Sequence, residues 1–149
     1  MARVLIVGCG CRGQGLAAAL RADGHAVRGT TRDAGRLAAI EAAGAEAVVA
    51  DPDRLGTIMG QLAGVTAVCW LMGSAGGDVN GPRLETFVER LVDTPVRGIV
   101  YEAAGGSAGA DVVRAAAERW RMPAEVVDAD PAGHDAWLAA MREAVGRLL

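Results

Sequence analysis

Lysine is absent from the chain: all 15 basic residues are arginine. Chemistry that needs a lysine amine is thereby excluded, whether a Schiff base, a lysine-assisted tyrosine or a P-loop lysine. Aromatic residues are scarce as well, at 3%, with one tyrosine and one phenylalanine. Hydrophobic residues still make up 52%. The core must therefore be built from aliphatic side chains, and alanine alone occurs 31 times. Cysteine is sparse and odd in number: Cys9, Cys11 and Cys69 form no disulfide framework, so a reducing cytoplasm is the expected compartment. No apolar run reaches the ~18 residues of a membrane helix. Met1, Ala2 and Arg3 lead straight into an apolar strand, without the apolar core and small-residue cleavage site of a secretory signal. Nor is there a basic excess. With 15 basic and 18 acidic residues, the net charge is −3 and the pI about 5.3. The charges are mixed along the chain, which argues against nucleic acid as a partner.

What is present is a repeated switch between short apolar runs and helical spacing. The runs predict strands over Val4 to Val7, His25 to Thr30, Glu46 to Ala50, Thr66 to Leu71, Arg97 to Tyr101 and Ala124 to Val127. Between them the 3.6-residue period predicts helices over Gly13 to Ala22, Ala34 to Ala43, Asp53 to Leu62 and Ala110 to Trp120. A further helix is expected from a cap at Asn80 through Val92, with Pro82 in its first turn. The last should open at Asp130-Pro131, cap then proline, and run through Leu148. Strand–helix alternation at this spacing implies parallel βαβ units with right-handed crossovers, and near-continuous apolar strands imply a sheet covered on both faces. The expected fold is α/β, a doubly wound six-stranded parallel sheet of order 3-2-1-4-5-6, in one domain over residues 1–149.

The first strand–helix turn reads Gly8-Cys9-Gly10-Cys11-Arg12-Gly13, a G-x-G-x-x-G pattern in the context its mechanism requires. Gly8 permits the tight turn, Gly10 lets a dinucleotide pyrophosphate approach the backbone, and Gly13 lets the helix pack on the strand. Cys11 and Arg12 open the helix whose N-terminal N–H groups and dipole would face the phosphates. The second strand runs into Thr30-Thr31-Arg32. An NAD-preferring site places an acid here for the ribose 2′-OH, and none precedes Asp33. Arg32 is positioned for a 2′-phosphate, with help from Arg12 and a hydroxyl from Thr30 or Thr31. NADP(H) is therefore the expected cofactor, with NAD(H) the alternative. Asp51, after the third strand, either contacts the adenine or caps the next helix. A chain of 149 residues has little left for a substrate domain beside such a core.

Val4 to Leu20, Gly24 to Arg32, Ala47 to Asp51, Leu62 to Gly73 and Val96 to Gly106 together resemble the NAD(P)-binding Rossmann proteins of the atypical short-chain dehydrogenase/reductase group, over roughly Arg3 to Asp130. Active members of the wider family commonly use a Tyr-x-x-x-Lys pair. The only tyrosine here is Tyr101, inside the fifth strand, and Gly105 stands four positions on. The family's acid–base pair is thus missing.

Other candidates sit at the carboxyl ends of the strands. The glycine-rich loops from Gly73 and from Glu102 would border the nicotinamide, with Gly73, Ser74, Glu102 and Ser107 in reach of a ligand or serving only as loop and cap. Asp128, Asp130, His134 and Asp135 are better read as a helix cap than as metal ligands, and no metal is expected. Cys9 and Cys11 flank Gly10, where a helix N-terminus can lower a thiol pKa; plain packing is the competing reading. Cys69 reads as core and His25 as surface. Trp137, Leu138, Met141, Val145 and Leu148 form a helical stripe that either packs on the sheet or makes a dimer interface, so the sequence leaves the oligomeric state open. The functional reading is a dinucleotide-binding protein, either a minimal reductase of a small-molecule substrate or a nucleotide-sensing regulatory module. Its size also suits the ligand-binding domains of potassium-transport regulators, which normally carry the acid missing after the second strand. A scaffold that has lost its ligand is the third reading.

Overall fold

The computed structural model describes residues 2–72, 75, 77–103 and 108–149. In chain order the elements are β1 Arg3–Val7, α1 Cys11–Ala22, β2 Ala26–Thr31, α2 Leu37–Ala42, β3 Glu46–Val49, α3 Leu55–Met59, β4 Ala67–Trp70, α4 Pro82–Leu91, β5 Gly98–Glu102, α5 Ala108–Trp120, β6 Ala124–Val127 and α6 His134–Leu148. Short 3₁₀ turns at Ala34–Arg36 and Gly77–Asn80 precede α2 and α4. The strands form one parallel sheet in the order β3-β2-β1-β4-β5-β6. The chain winds outward from β1 to β3, returns to the middle at β4, and winds outward the other way to β6. The doubly wound sheet of order 3-2-1-4-5-6 is present as expected.

Alternation along each strand divides the core in two. Leu5, Val7, Val68, Trp70, Ile99 and Tyr101 face α3, α4 and α5, where they meet Ile58, Phe87 and Val113. Val4, Ile6, Cys69 and Val100 face the opposite way, against Leu16 and Leu20 of α1, Ile40 of α2, and Trp137, Met141 and Val145 of α6. The stripe on α6 is thus spent on the sheet, with Leu138 and Leu148 at its half-buried border. Trp70 and Phe87 pack with ring centroids 5.0 Å apart. Among the described residues no helix is long and apolar enough to cross a membrane.

Several helix ends differ from expectation. α1 begins at Cys11 rather than Gly13, and the α2 segment starts as a 3₁₀ turn. α3 is reduced to Leu55–Met59. Asn80 does not cap α4: the helix starts from Gly81 without a side-chain cap, and the Asn80 amide is drawn inward by buried partners. Asp130 does not cap α6 either. Its Oδ1 accepts from the Ala132 N–H at 2.9 Å, closing a local turn, and the helix opens only after Gly133. In both cases a nearer backbone or buried group competes successfully for the polar side chain. His25 is half-buried rather than a surface residue.

Candidate functional site

The glycine loop lies between β1 and α1 at the carboxyl edge of the sheet. Gly8 has φ +85°, and a Cβ there would lie 2.5 Å from Met72 Sδ and 3.0 Å from the Leu71 carbonyl. Both its conformation and its surroundings require glycine. The Gly8 N–H donates to Thr30 Oγ1 at 3.1 Å, and the Cys9 N–H donates to the Thr30 carbonyl at 2.8 Å. These bonds stitch the loop to β2 and turn its outer face to solvent. A Cβ added at Gly10 would meet nothing within 4 Å, so the approach to the backbone there is open. α1 has no side-chain cap and no acid in its first turn. Its leading N–H groups and its positive dipole end are left for an anion. Gly13 lies against β1, a Cβ there falling 3.3 Å from both the Gly8 carbonyl and Ile6 Cγ2.

Beside the loop opens a cavity of about 540 Å³, lined by Gly8, Cys9, Gly10, Thr30, Thr31, Arg32, Asp33, Arg36, Ala50, Pro52 and Met72. It lies over the ends of β1, β2 and β3. Arg32 and Arg36 are both exposed at its rim. The nearby acid, Asp33, is exposed and lines the same cavity; its Oδ1 accepts from the Gly35 N–H at 2.8 Å, and its Oδ2 lies 3.8 Å from Arg36 Nε. Thr31 Oγ1 accepts from the Asp33 N–H at 3.1 Å and so shapes the same turn. Arg36 was missed by sequence reasoning. The available signal was its place in the first turn after the strand end that carries Arg32.

Asp51 does not cap the next helix: α3 starts from Arg54 without a side-chain cap. Its Oδ1 accepts from the Asp53 N–H at 2.9 Å, closing a local turn, and it is not among the cavity's lining residues. Arg12 also differs from expectation. Its Nε and Nη2 donate to Glu102 Oε2 and Oε1 at 3.0 and 2.6 Å, and it does not line the cavity with Arg32. The arginine points across the sheet towards β5, away from the β2 side, because a buried carboxylate waits there. Hydrogen bonding to Glu102 raises the Arg12 pKa above the usual guanidinium value. Gly73, Ser74 and Ser107 lie outside the described residues.

Cys9 and Cys11 are separated by the sheet-facing turn. Cys9 is buried, and desolvation pushes its thiol up to about 11, whereas Cys11 is exposed. Tyr101 is 1% exposed and donates its hydroxyl to Asn80 Oδ1 at 3.1 Å. Burial, then the neighbouring Glu102 charge, raises its pKa. It is a core residue, as its strand position implied. Among the described residues no group of three or more His, Cys, Asp or Glu side chains could hold a metal ion.

A family described as NAD(P)H-binding matches residues 9–142. Among curated proteins there is no match. Solved structures share the fold. UDP-N-acetylglucosamine 4-epimerase from Bacillus cereus superposes with a TM-score of 0.67 at 17% identity, over 85% of this chain and 53% of that one. A short-chain dehydrogenase/reductase superfamily protein from Agrobacterium tumefaciens, solved with bound NAD, gives 0.56 at 24% identity, over 69% and 33%. An anaerobillin reductase from Escherichia coli O157:H7 gives 0.60 at 14% identity, over 84% and 71%. The chain spans about half the length of the epimerase and a third of that of the dehydrogenase.

Proposed function

Because the chain belongs to the NAD(P)H-binding family, we propose that it binds NADP(H) in preference to NAD(H), with the ribose 2′-phosphate between Arg32 and Arg36. One observation carries this reading: two arginines, Arg32 and Arg36, line the same cavity at the end of β2. A 2′-phosphate would gain charge-assisted bonds there. An unmodified ribose would gain no such bonds from the two guanidinium groups. The pyrophosphate would lie over Gly8 and Gly10 against the leading N–H groups of Cys11, Arg12 and Gly13, and Thr31 would hold the turn that presents Arg32. The bound cofactor would supply hydride chemistry, and the chain would supply position and electrostatics.

Titration of NADPH and NADH by nicotinamide fluorescence tests the preference. NADPH should bind at least about tenfold more tightly. Arg32→Ala and Arg36→Ala should each reduce that ratio, and the double variant should abolish it. Equal affinities in the wild type would refute the assignment.

A nucleotide-sensing module is the second reading, favoured over a self-sufficient reductase by Tyr101. The sole tyrosine is buried and bonded to Asn80, and the chain has no lysine to assist it. Loss of NADPH absorbance on addition of quinones or aldehydes would identify a reductase, and tight binding without turnover would identify a sensor.

A further inference from the structure

Arg12 and Glu102 come from distant parts of the chain, the second residue of α1 and the last of β5. In the order β3-β2-β1-β4-β5-β6, β4 separates their strands. At ~4.8 Å per strand, β1 and β5 stand about 10 Å apart, so the arginine side chain spans the end of β4. Between β1 and β4 the direction of winding reverses, and ligands of open α/β sheets lie in the crevice at that point. The arginine is therefore strung across the crevice.

The pair has a buried end and an exposed end. The Glu102 side chain is 0% exposed, whereas the Arg12 side chain is 34% exposed. The carboxylate takes the Nε and Nη2 side of the guanidinium at 3.0 and 2.6 Å. Of the five N–H donors in the planar fork, two are engaged in this way. The rest lie on the edges away from Glu102, and none has an acceptor among the described residues. Stability alone does not account for the arrangement, because desolvating a carboxylate offsets much of its attraction to a cation. Its effect on Arg12 is plain: a long side chain that would sample many rotamers is fixed in one plane before any ligand arrives.

We infer that Glu102 is a positioning residue, holding Arg12 across the switch point so that the free edge of its guanidinium meets the pyrophosphate of the bound dinucleotide. The inference rests on the dinucleotide reading above and assigns Arg12 to the pyrophosphate instead of the 2′-phosphate. The leading N–H groups of α1 meet one side of the pyrophosphate and Arg12 the other. Arg32 and Arg36 keep the adenosine end, so the two ends of the site can be weakened separately.

Two ligands separate them: NADPH, which carries the pyrophosphate, and 2′-AMP, which carries the adenosine and 2′-phosphate without it. Their dissociation constants are measured on wild type, Glu102→Gln, Arg12→Met and the double variant. Both single variants should weaken NADPH about tenfold, and the double should be no weaker than the worse single. All should bind 2′-AMP within about twofold of wild type. Glu102→Gln binding NADPH unchanged or more tightly would overturn the inference, as would additive losses or a matching loss of 2′-AMP. Arg12→Met strands a buried carboxylate; should it fail to fold, Glu102→Gln and the double variant decide the matter, since neither leaves that charge. A wild type that binds neither ligand would overturn the dinucleotide reading itself, whereas one that binds both with Glu102→Gln unaffected would overturn this inference alone.

Discussion

Three thiols in one small chain occupy three environments. Cys11 is the first residue of α1 and is exposed. Cys9, two positions earlier, is 2% exposed, and burial pushes its thiol up to about 11. Cys69, in β4, is fully buried and pushed up to about 12. Alkylation proceeds through the thiolate and needs access. Iodoacetamide near neutral pH should therefore label Cys11 in the folded protein and spare the other two, while all three should react in denaturant, as read by peptide mass spectrometry. NADPH should slow the labelling of Cys11, because the proposed pyrophosphate site adjoins it. Native labelling of Cys9 as fast as Cys11 would contradict the burial. The sequence showed two cysteines flanking Gly10 and gave no sidedness. That comes from β2: a Cβ at Gly29 would lie 2.8 Å from Cys9 Sγ, so a glycine in the neighbouring strand makes the room in which Cys9 is buried. Arg32 was legible because it follows a strand end directly. The direction of Arg12 was not, because Glu102 lies far along the chain and is brought close only by the sheet.

Element order was legible because it rests on many residues at once. Each strand is a run of apolar positions and each longer helix a stripe, so one ambiguous residue changes little. Helix ends rest on single polar side chains, and those have several possible partners. Asn80 illustrates the difference. Its Nδ2 donates to the Met72 and Ala75 carbonyls at 2.6 and 2.9 Å. Its Oδ1 accepts from Trp70 Nε1 at 3.3 Å and from the Tyr101 hydroxyl at 3.1 Å. The amide thereby joins β4, β5 and the chain leading into α4, a task that uses all its bonding capacity and leaves none for a cap. Asn80→Ala should deprive two buried donors and two carbonyls of partners. At roughly 1–3 kcal/mol per unsatisfied buried group, with part recovered by relaxation, the loss should be about 2–4 kcal/mol. Asp130→Ala, which removes one exposed turn bond, should cost less than about 1 kcal/mol. Urea midpoints of the two variants give the comparison, and similar losses would contradict the role assigned to Asn80.

At the scale of the whole molecule, the sheet keeps both thiols and the tyrosine neutral by burial on its two faces. Cys9 and Cys69 belong to the core beneath α1 and α6, and Tyr101 to the core beneath α4 and α5. The ordinary thiol value is 9.0, and the folded protein raises it to about 11 for Cys9 and about 12 for Cys69. A raised folded-state pKa adds stability that is fully present below the unfolded value and is lost as pH climbs towards the folded one. Above pH 9.0 the unfolded chain releases thiol protons that the folded chain retains, so stability must fall. Each thiol contributes about 1.4 kcal/mol per pH unit once its unfolded form has ionised. Tyr101 adds to the fall above its ordinary value of 10.0, in the same direction, since burial raises it too. Urea unfolding followed from about pH 7 to about pH 10 should show a steepening loss that begins near the ordinary thiol value. Cys69→Ala lowers the baseline by the packing it removes. Its distinctive effect is on the slope, which should drop by about half before the tyrosine begins to contribute, because one of two buried thiols no longer titrates. An unchanged slope in that variant would mean that Cys69 ionises in the folded state, against its complete burial between the two layers of helices.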